Sequence, residues 1–260
     1  MTRTVILAAG EGTRLRPLTD HQPKTLVPLA GRSLLDRQMS VLQRAGITDI
    51  SIVVGYCAQA LANRGARTFL NPLYASTNMV ASLLCAKALF DGGDEVVVAY
   101  GDIAYEPRVL ARLLAIEAPL AVVVDEGWHD LWQLRMDNPL SDAETMKLDA
   151  AGNIIELGCK PRSLADIEGQ YIGLFKVGRG FASHFFDRFE QWPADQAFDG
   201  RPRDSMYMTS YLQHQIDCGT PVRAAIVQHG WLEIDSVEDL RRYEAAVADG
   251  RLRVLYDGAA

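Results

Sequence analysis

The sequence lacks the features that mark several large classes of protein. Its four cysteines are scattered and form no C-x-x-C pair, which argues against a zinc site and indicates a reducing compartment. No apolar run approaches the roughly 18–20 residues that a membrane-spanning helix requires. The first residues lead directly into an apolar strand and a glycine, without the hydrophobic stretch and cleavage site of a signal peptide. We therefore expect a cytoplasmic protein with no membrane partner.

Basic residues are also scarce. Lys and Arg total 26 against 33 Asp and Glu, a formal net charge of -7, so no general nucleic-acid partner is expected. This balance still permits a few well-placed cations to bind a small anion. Charged residues at 23% and hydrophobic residues at 48% are ordinary for a globular enzyme. Because no linker is visible, we predict one domain over residues 1–260.

The first half of the chain alternates between two kinds of apolar segment. Short, mostly β-branched runs at residues 4–9, 50–54, 95–100 and 119–124 read as strands that are covered on both faces. Helical spacing at residues 34–45 and 78–90 separates them. This order predicts an α/β fold with a doubly wound, mostly parallel sheet.

The alternation of strand-like and helix-like segments changes after about residue 125. A turn at residues 150–152 predicts a β-hairpin between flanking strands, and residues 171–177 read as another strand. Helices are expected near residues 181–189, 205–217 and 236–248. Ser236 followed by Asp239 resembles a capping box for the last of these. The second half therefore adds a small β-rich subregion to the sheet.

A glycine-rich loop follows the first strand. Its small residues let the backbone approach a ligand, and free N–H groups there suit triphosphate oxygens. Arg14 can neutralise phosphates with forked hydrogen bonds. Leu15 replaces the third glycine of a dinucleotide-binding fold, and no lysine follows the second glycine as in a P-loop. The predicted nucleotide-binding loop consists of Leu7, Ala8, Ala9, Gly10, Glu11, Gly12, Thr13 and Arg14.

Carboxylates at two separate positions predict a metal site. Gly101 and Asp102 end a buried-type strand, where doubly wound sheets bind their ligands. Glu233 and Asp235 project from one side of a later strand. Mg²⁺ prefers one or two carboxylates together with phosphate oxygens and water. Asp102 and Asp235 are the predicted ligands, with Glu233 in support, although Asp235 could instead belong to the cap of the next helix.

The motif L-A-A-G-x-G-T-R-L-x-P-L-T, followed by P-K-x-L-x-P, resembles the N-terminal signature of the nucleotidyltransferases that make nucleotide-activated sugars and choline. The resemblance implies a Rossmann-like fold, a Mg²⁺ cofactor held at the two carboxylate positions, and a role for Lys24 at the reacting phosphates. Together with Arg14, Asp102 and Asp235, Lys24 completes the predicted catalytic set. Gly101 is assigned to the nucleotide.

Residues 71–83 resemble the N-x-x-Y-x-x-T-N-x-x-x-S-L stretch of the choline-phosphate cytidylyltransferase-like branch. The resemblance implies CTP as the nucleotide. Thr77, Asn78 and Ser82 could then contact the cytosine, although Thr77 or Asn78 could equally cap a helix.

The acceptor side is also assigned through that branch. Tryptophan faces suit a quaternary ammonium group, whereas the guanidinium of Arg135 suits a carboxylate or phosphate, so choline phosphate, a phosphonate and an amino-acid-like acceptor all stay open. Trp128 and Trp132 could share one helical face or simply pack on the hairpin. The expected acceptor-binding residues are Asp125, Trp132, Arg135, Glu144, Lys160, Glu168 and Tyr171.

These patterns predict a Mg²⁺-dependent cytidylyltransferase that joins CMP to a small phosphorylated or phosphonate acceptor. Residues up to about 125 would form its nucleotide-binding half and the remainder its acceptor-binding half. A hexose-1-phosphate nucleotidyltransferase and a non-catalytic nucleotide sensor are the alternatives, and an NAD-linked oxidoreductase is disfavoured by the missing glycine. Monomer and homodimer both stay open.

Overall fold

The computed structural model describes residues 1–258, which form fifteen strands and seven α-helices around one central sheet. The strands are β1 (Thr2–Ala8), β2 (Pro28–Leu29), β3 (Arg32–Ser33), β4 (Asp49–Val54), β5 (Arg67–Leu70), β6 (Glu95–Tyr100), β7 (Ile103–Tyr105), β8 (Leu120–Asp125), β9 (Met146–Leu148), β10 (Ile154–Leu157), β11 (Gln170–Val177), β12 (Ala197–Phe198), β13 (Arg201–Pro202), β14 (Val222–Val227) and β15 (Trp231–Glu233). The helices are α1 (Leu34–Arg44), α2 (Met79–Leu84), α3 (Pro107–Leu114), α4 (Trp128–Arg135), α5 (Asp187–Gln191), α6 (Met208–Asp217) and α7 (Val237–Ala248).

The central sheet has seven strands in the order β14-β8-β11-β6-β1-β4-β5. Its neighbours pair in parallel, except that β11 runs antiparallel to both β6 and β8. The mostly parallel, doubly wound sheet is therefore confirmed, and it contains strands from both halves of the chain.

Successive side chains of β1 enter two different cores. Ile6 and Ala8 pack into the core that contains α1, whereas Val5 and Leu7 pack into the core that contains α2 and α6. Both faces of the strand are buried, which explains why its sequence is continuously apolar. No helix within residues 1–258 combines the length and the apolar character that a bilayer span requires.

A close turn carries the chain from β6 towards Asp102. The Gly101 N–H donates to the Leu7 carbonyl at 2.8 Å, and a Cβ at Gly101 would lie 2.6 Å from that oxygen. Only glycine fits there without moving the backbone. This contact places Asp102 directly beside the carboxyl end of β1.

Several predicted elements are shorter than their patterns indicated. The helix expected at residues 78–90 is α2 followed by a separate 3-10 turn at Lys87–Leu89, and residues 181–189 hold a 3-10 turn before α5 begins. After the turn at Lys87–Leu89, Phe90 packs against the rings of Phe185 and Phe186, at 5.6 and 4.9 Å between centroids. The β9–β10 hairpin and the Ser236–Asp239 capping box form as predicted.

Candidate active site

A cleft of about 340 Å³ opens at the carboxyl ends of β1 and β6. Since those two strands are parallel neighbours, the loops that follow them meet at one edge of the sheet. Glu11 points elsewhere and pairs with Arg16 at 3.2 Å. The other predicted nucleotide-binding residues all line the cleft: Leu7, Ala8, Ala9, Gly10, Gly12, Thr13, Arg14, Lys24, Thr77, Asn78, Ser82 and Gly101.

The glycine-rich loop folds tightly onto the segment that carries Lys24. Gly12 adopts a left-handed conformation with φ of 61°, and a Cβ there would lie 2.9 Å from the Cβ of Lys24. The Gly12 carbonyl accepts hydrogen bonds from the Thr19 hydroxyl and the Leu15 N–H, both at 2.9 Å. Glycine at this position therefore brings the loop and the lysine to the same wall of the cleft.

The ammonium group of Lys24 lies between two carboxylates. It donates to Asp102 Oδ2 at 2.8 Å and to Asp235 Oδ1. Burial lowers the pKa of Lys24, but the charges of Asp102 and Asp235 outweigh burial and raise it above its ordinary value. Arg14 also reaches Asp235 Oδ1, at 3.1 Å, while its side chain stays 66% exposed to the cleft. Two cations thus face the space where phosphates would bind.

The carboxylates of Asp102, Glu233 and Asp235 offer oxygens that lie within 4.8 Å of one another. Asp102 Oδ1 is buried and has no hydrogen-bond partner within residues 1–258. A cluster of hard oxygen donors with an unpaired buried oxygen fits a divalent cation. The three carboxylates that the sequence predicts as metal ligands therefore lie together, and their role as ligands stays a prediction.

Glu233, the last residue of β15, and Asp235, which follows the strand, have opposite electrostatic surroundings. Burial, with the charge of Asp235 added, raises the pKa of Glu233 to about 8. Burial also acts on Asp235, but the charge and hydrogen bond of Lys24 and the charge of Arg14 lower the pKa of Asp235. Asp235 is therefore the more firmly ionised of the pair.

Gln38 on α1 holds the turn that carries Asp102. It is fully buried, and its Nε2 donates to the carbonyls of Tyr100 at 2.9 Å and Ile103 at 2.8 Å. From the other side, the Ile234 N–H donates to the Asp102 carbonyl at 3.1 Å. Sequence reasoning missed Gln38, although an amide among the apolar positions of a helix was a usable signal.

The Asn71–Ser82 segment is organised by Asn71. This buried side chain donates through Nδ2 to the hydroxyls of Thr77 and Ser82, both at 2.9 Å. Asn78 caps α2 by accepting from the Met79 N–H at 2.8 Å. Asn78 therefore caps the helix and also lines the cleft, so its role as a cap is compatible with the proposed contact to the cytosine.

Two predicted acceptor residues lie in the core and not at the cleft. Asp125 is fully buried and accepts hydrogen bonds at 2.8 Å from the Gly127 and His229 N–H groups and from Trp231 Nε1. Trp132 is 4% exposed and packs against Trp128 and Trp231, at 5.7 and 5.9 Å between ring centroids. The tryptophans do share a helical face, but that face fills the interior.

Three more predicted acceptor residues are engaged elsewhere. Arg135 is 3% exposed and lies behind the carboxylates of Glu233 and Asp235. Lys160 donates to the carbonyls of Leu140 and Ser141 at 2.8 and 3.1 Å. Glu168 accepts a hydrogen bond from the Leu148 N–H at 2.8 Å and so stabilises the β9–β10 hairpin. Their residue types suggested ligand contacts, whereas tertiary packing gives each of them a partner within the protein.

Tyr171 and Glu144 lie nearer to the cleft. The Tyr171 ring contacts that of Tyr100, a cleft residue, at 5.7 Å, and neither hydroxyl has a hydrogen-bond partner within the described residues. Burial, and then the charges of Glu144 and Asp102, raise the pKa of Tyr171. Burial, with the charge of Asp142, raises the pKa of Glu144 to about 7. Of the predicted acceptor residues, Tyr171 therefore packs on the cleft residue Tyr100, and Glu144 lies close enough to act electrostatically on both tyrosines.

Comparisons with known proteins identify the family of the chain. The model of the MobA-like NTP transferase domain matches residues 4–198. The chain belongs to this family. It is therefore a nucleotidyltransferase, and the fold and catalytic class expected from the sequence are confirmed.

The relatives include cytidylyltransferases. CTP:phosphoglutamine cytidylyltransferase of Campylobacter jejuni is 38% identical over 245 residues, which cover 91% of this chain and 96% of that protein. CMP-5'-(3-aminopropyl)phosphonate synthase of Streptomyces rubellomurinus is 33% identical over 137 residues, 50% of this chain and 22% of that longer protein. Among solved structures, CTP:phosphocholine cytidylyltransferase of Streptococcus pneumoniae superimposes with a TM-score of 0.69 at 22% identity, covering 95% and 99% of the two chains.

Proposed function

We propose that this nucleotidyltransferase is a Mg²⁺-dependent cytidylyltransferase that transfers CMP from CTP to a small phosphorylated or phosphonate acceptor. One observation carries the proposal. Two cations, Arg14 and Lys24, and the carboxylates of Asp102 and Asp235 converge at the end of a cleft lined by a glycine-rich loop. The relatives named above, which act with CTP on phosphoglutamine or phosphocholine, support the choice of nucleotide and acceptor class.

The protein's own groups supply most of the required charge. Backbone N–H groups of the loop around Gly10 and Gly12 would hold triphosphate oxygens, and Arg14 and Lys24 would neutralise them. Asp102 and Asp235, supported by Glu233, would hold the metal ion. When bound, Mg²⁺ would neutralise charge on the phosphates during transfer. Thr77, Asn78 and Ser82 would face the base.

The transfer needs no dedicated general base, because a phosphate or phosphonate acceptor is already an oxyanion near neutral pH. Its oxygen forms a bond to the α-phosphorus of CTP, and the bond from that phosphorus to the bridging α–β oxygen breaks. Pyrophosphate leaves with the electron pair, so no proton has to move. The protein must align the reactants and neutralise charge. Glu144 and Tyr171 would contact the organic part of the acceptor.

The protein would act in the cytoplasm. Its four free cysteines support this location, because thiols stay reduced there.

Pyrophosphate release tests the proposal directly. We would measure it with Mg²⁺ and each of ATP, CTP, GTP, UTP and dTTP. The acceptors would be phosphocholine, phosphoethanolamine, aminoethylphosphonate, phosphorylated amino acids and hexose 1-phosphates. We expect release only with CTP and a small non-sugar acceptor. Release with UTP, dTTP or GTP and a hexose phosphate would contradict the proposal and favour sugar-nucleotide synthesis.

A further inference from the structure

One buried arginine is bonded to several acidic residues behind the candidate metal site. Arg135 is the last residue of α4, and its side chain is 2% exposed, against 66% for Arg14. Its guanidinium lies over the Trp132 ring, with 5.1 Å from its central carbon to the ring centroid. A diffusible acceptor could not reach this group without displacing packed side chains.

Each side-chain nitrogen of Arg135 donates a hydrogen bond to a different carboxylate. Nη1 donates to Glu233 Oε2 at 2.7 Å and Nη2 donates to Asp235 Oδ2 at 3.3 Å. Nε donates to Asp239 Oδ1 at 3.4 Å. One rigid, planar group therefore ties the end of α4 to the segment after β15 and to the first turn of α7.

The two oxygens of Asp235 consequently face opposite ways. Oδ2 is bonded to buried Arg135, whereas Oδ1 faces the cleft, where Lys24 and Arg14 contact it. The Asp235 N–H is fixed as well, since it donates to Asp239 Oδ2 at 2.9 Å. Asp239 thus accepts hydrogen bonds both from the main-chain N–H of Asp235 and from the Arg135 guanidinium, which in turn holds the Asp235 side chain.

We infer that Arg135 is a positioning residue for the metal-binding carboxylates: it holds Glu233 and Asp235 from behind, so that Asp235 Oδ1 faces the cleft and both carboxylates keep an oxygen within 4.8 Å of an Asp102 oxygen. This inference rests on the proposed metal site. Without the guanidinium, Glu233 Oε2 and Asp235 Oδ2 would both lose the donor that fixes the orientation of their side chains. Lysine supplies one charge but no fork, so it cannot hold both carboxylates in this geometry.

The test is Mn²⁺ binding, followed by the electron paramagnetic resonance of free Mn²⁺, in the full chain without nucleotide. We would compare the wild type with Arg135→Lys. Arg37→Lys is the matched control, because Arg37 is also buried but donates to the main-chain carbonyls of Leu29 and Gly258. Thermal unfolding would establish that each protein is folded.

We expect Arg135→Lys to weaken Mn²⁺ binding by about 10- to 100-fold, as loss of groups that orient metal ligands typically does. Arg37→Lys should bind Mn²⁺ as the wild type does, even where the two variants lose equal thermal stability. If Arg135→Lys does not fold, Asp239→Asn disturbs the same guanidinium and should weaken binding in the same direction. In turnover, Arg135→Lys should raise the Mg²⁺ concentration that gives half-maximal rate without changing KM for CTP.

Unchanged Mn²⁺ affinity in the folded Arg135 variant would overturn the inference, as would an equal loss in the Arg37 control. A wild-type protein that binds no Mn²⁺ would overturn both this inference and the metal site on which it rests. Failure of the cytidylyltransferase proposal has a different signature: Mn²⁺ binds but no pyrophosphate is released, and the comparison of the two arginine variants still decides the role of Arg135.

Discussion

The nucleotide side and the acceptor side of the cleft are built from different kinds of backbone. The nucleotide side consists of loops at the carboxyl ends of β1 and β6, two parallel neighbours at the centre of the sheet. The side that we assign to the acceptor borders antiparallel β11 and the segment that holds Glu144. Parallel strand ends bring their loops together whatever the side chains are, whereas the antiparallel region depends on how individual side chains pack.

The energetic roles of the two regions differ accordingly. Lys24 and Asp102 on the nucleotide side form a charged network that faces the cleft. Asp125, from the second region, has all its hydrogen bonds inside the protein. Substitution of Lys24 or Asp102 should therefore reduce catalysis at nearly constant stability, and substitution of Asp125 should do the reverse.

The largest expected effect is that of Asp102→Asn. Replacing this carboxylate removes a proposed metal ligand and leaves Lys24 with one carboxylate fewer, so turnover should fall by roughly 1,000-fold or more. Pyrophosphate release measures the loss, and circular dichroism should show an unchanged fold. Asp137→Asn is the control, since that side chain is 96% exposed. A variant at position 102 that keeps most of its turnover would remove Asp102 from the metal site.

Lys24→Ala should follow, with a decrease in kcat of roughly 100- to 1,000-fold, because one of two cations that neutralise the phosphates is lost. Steady-state kinetics with CTP measures this decrease. The control is Lys87→Ala, which removes an exposed lysine that pairs with Glu190. A change confined to KM would show that Lys24 binds CTP but does not favour the transition state.

In the second region, Asp125→Ala should lower the free energy of unfolding by about 3 kcal/mol, because three donors, among them the buried Trp231 Nε1, lose their acceptor. Urea denaturation measures this loss. For the folded fraction, kcat and the KM for the acceptor should stay close to those of wild type, because Asp125 is fully buried and its hydrogen bonds all go to groups of the protein. Asp130→Ala, at an exposed position of α4, is the control. A large rise in the KM for the acceptor would instead show that Asp125 contributes to acceptor binding.

The smallest effect concerns Glu144. Burial raises the pKa of this group to about 7 from 4.5, so the folded state holds a proton that the unfolded state releases. Its contribution to stability is present below the unfolded pKa and is lost as pH rises to about 7. Between pH 4.5 and about 7, the free energy of unfolding of the wild type should therefore fall by roughly 1–3 kcal/mol relative to that of Glu144→Gln. Parallel pH profiles for the two proteins would show that Glu144 is not buried as described.

The sequence predicted the nucleotide side better than the acceptor side for a physical reason. Gly12, Gly101 and Asp102 are constrained by strand ends and close backbone approach, which leave a local pattern in the chain. Trp132 and Arg135 carry residue types that suit a ligand, and only the packing of α4 against α7 and β15 shows that both are internal. The apolar spacing of residues 78–90 likewise did not show that α2 ends at Leu84 and that a separate turn follows.

The identity of the bond that breaks tests the central claim most directly. Phosphorus NMR of the reaction of wild-type protein with Mg²⁺, CTP and the preferred acceptor would follow every phosphorus atom. We predict free pyrophosphate together with a new pair of coupled signals from CMP joined to the acceptor phosphorus. Orthophosphate with CDP, or CMP with no new coupled pair, would show hydrolysis. CDP with a phosphorylated acceptor and no pyrophosphate would show phosphoryl transfer, and either result would contradict nucleotidyl transfer to the acceptor.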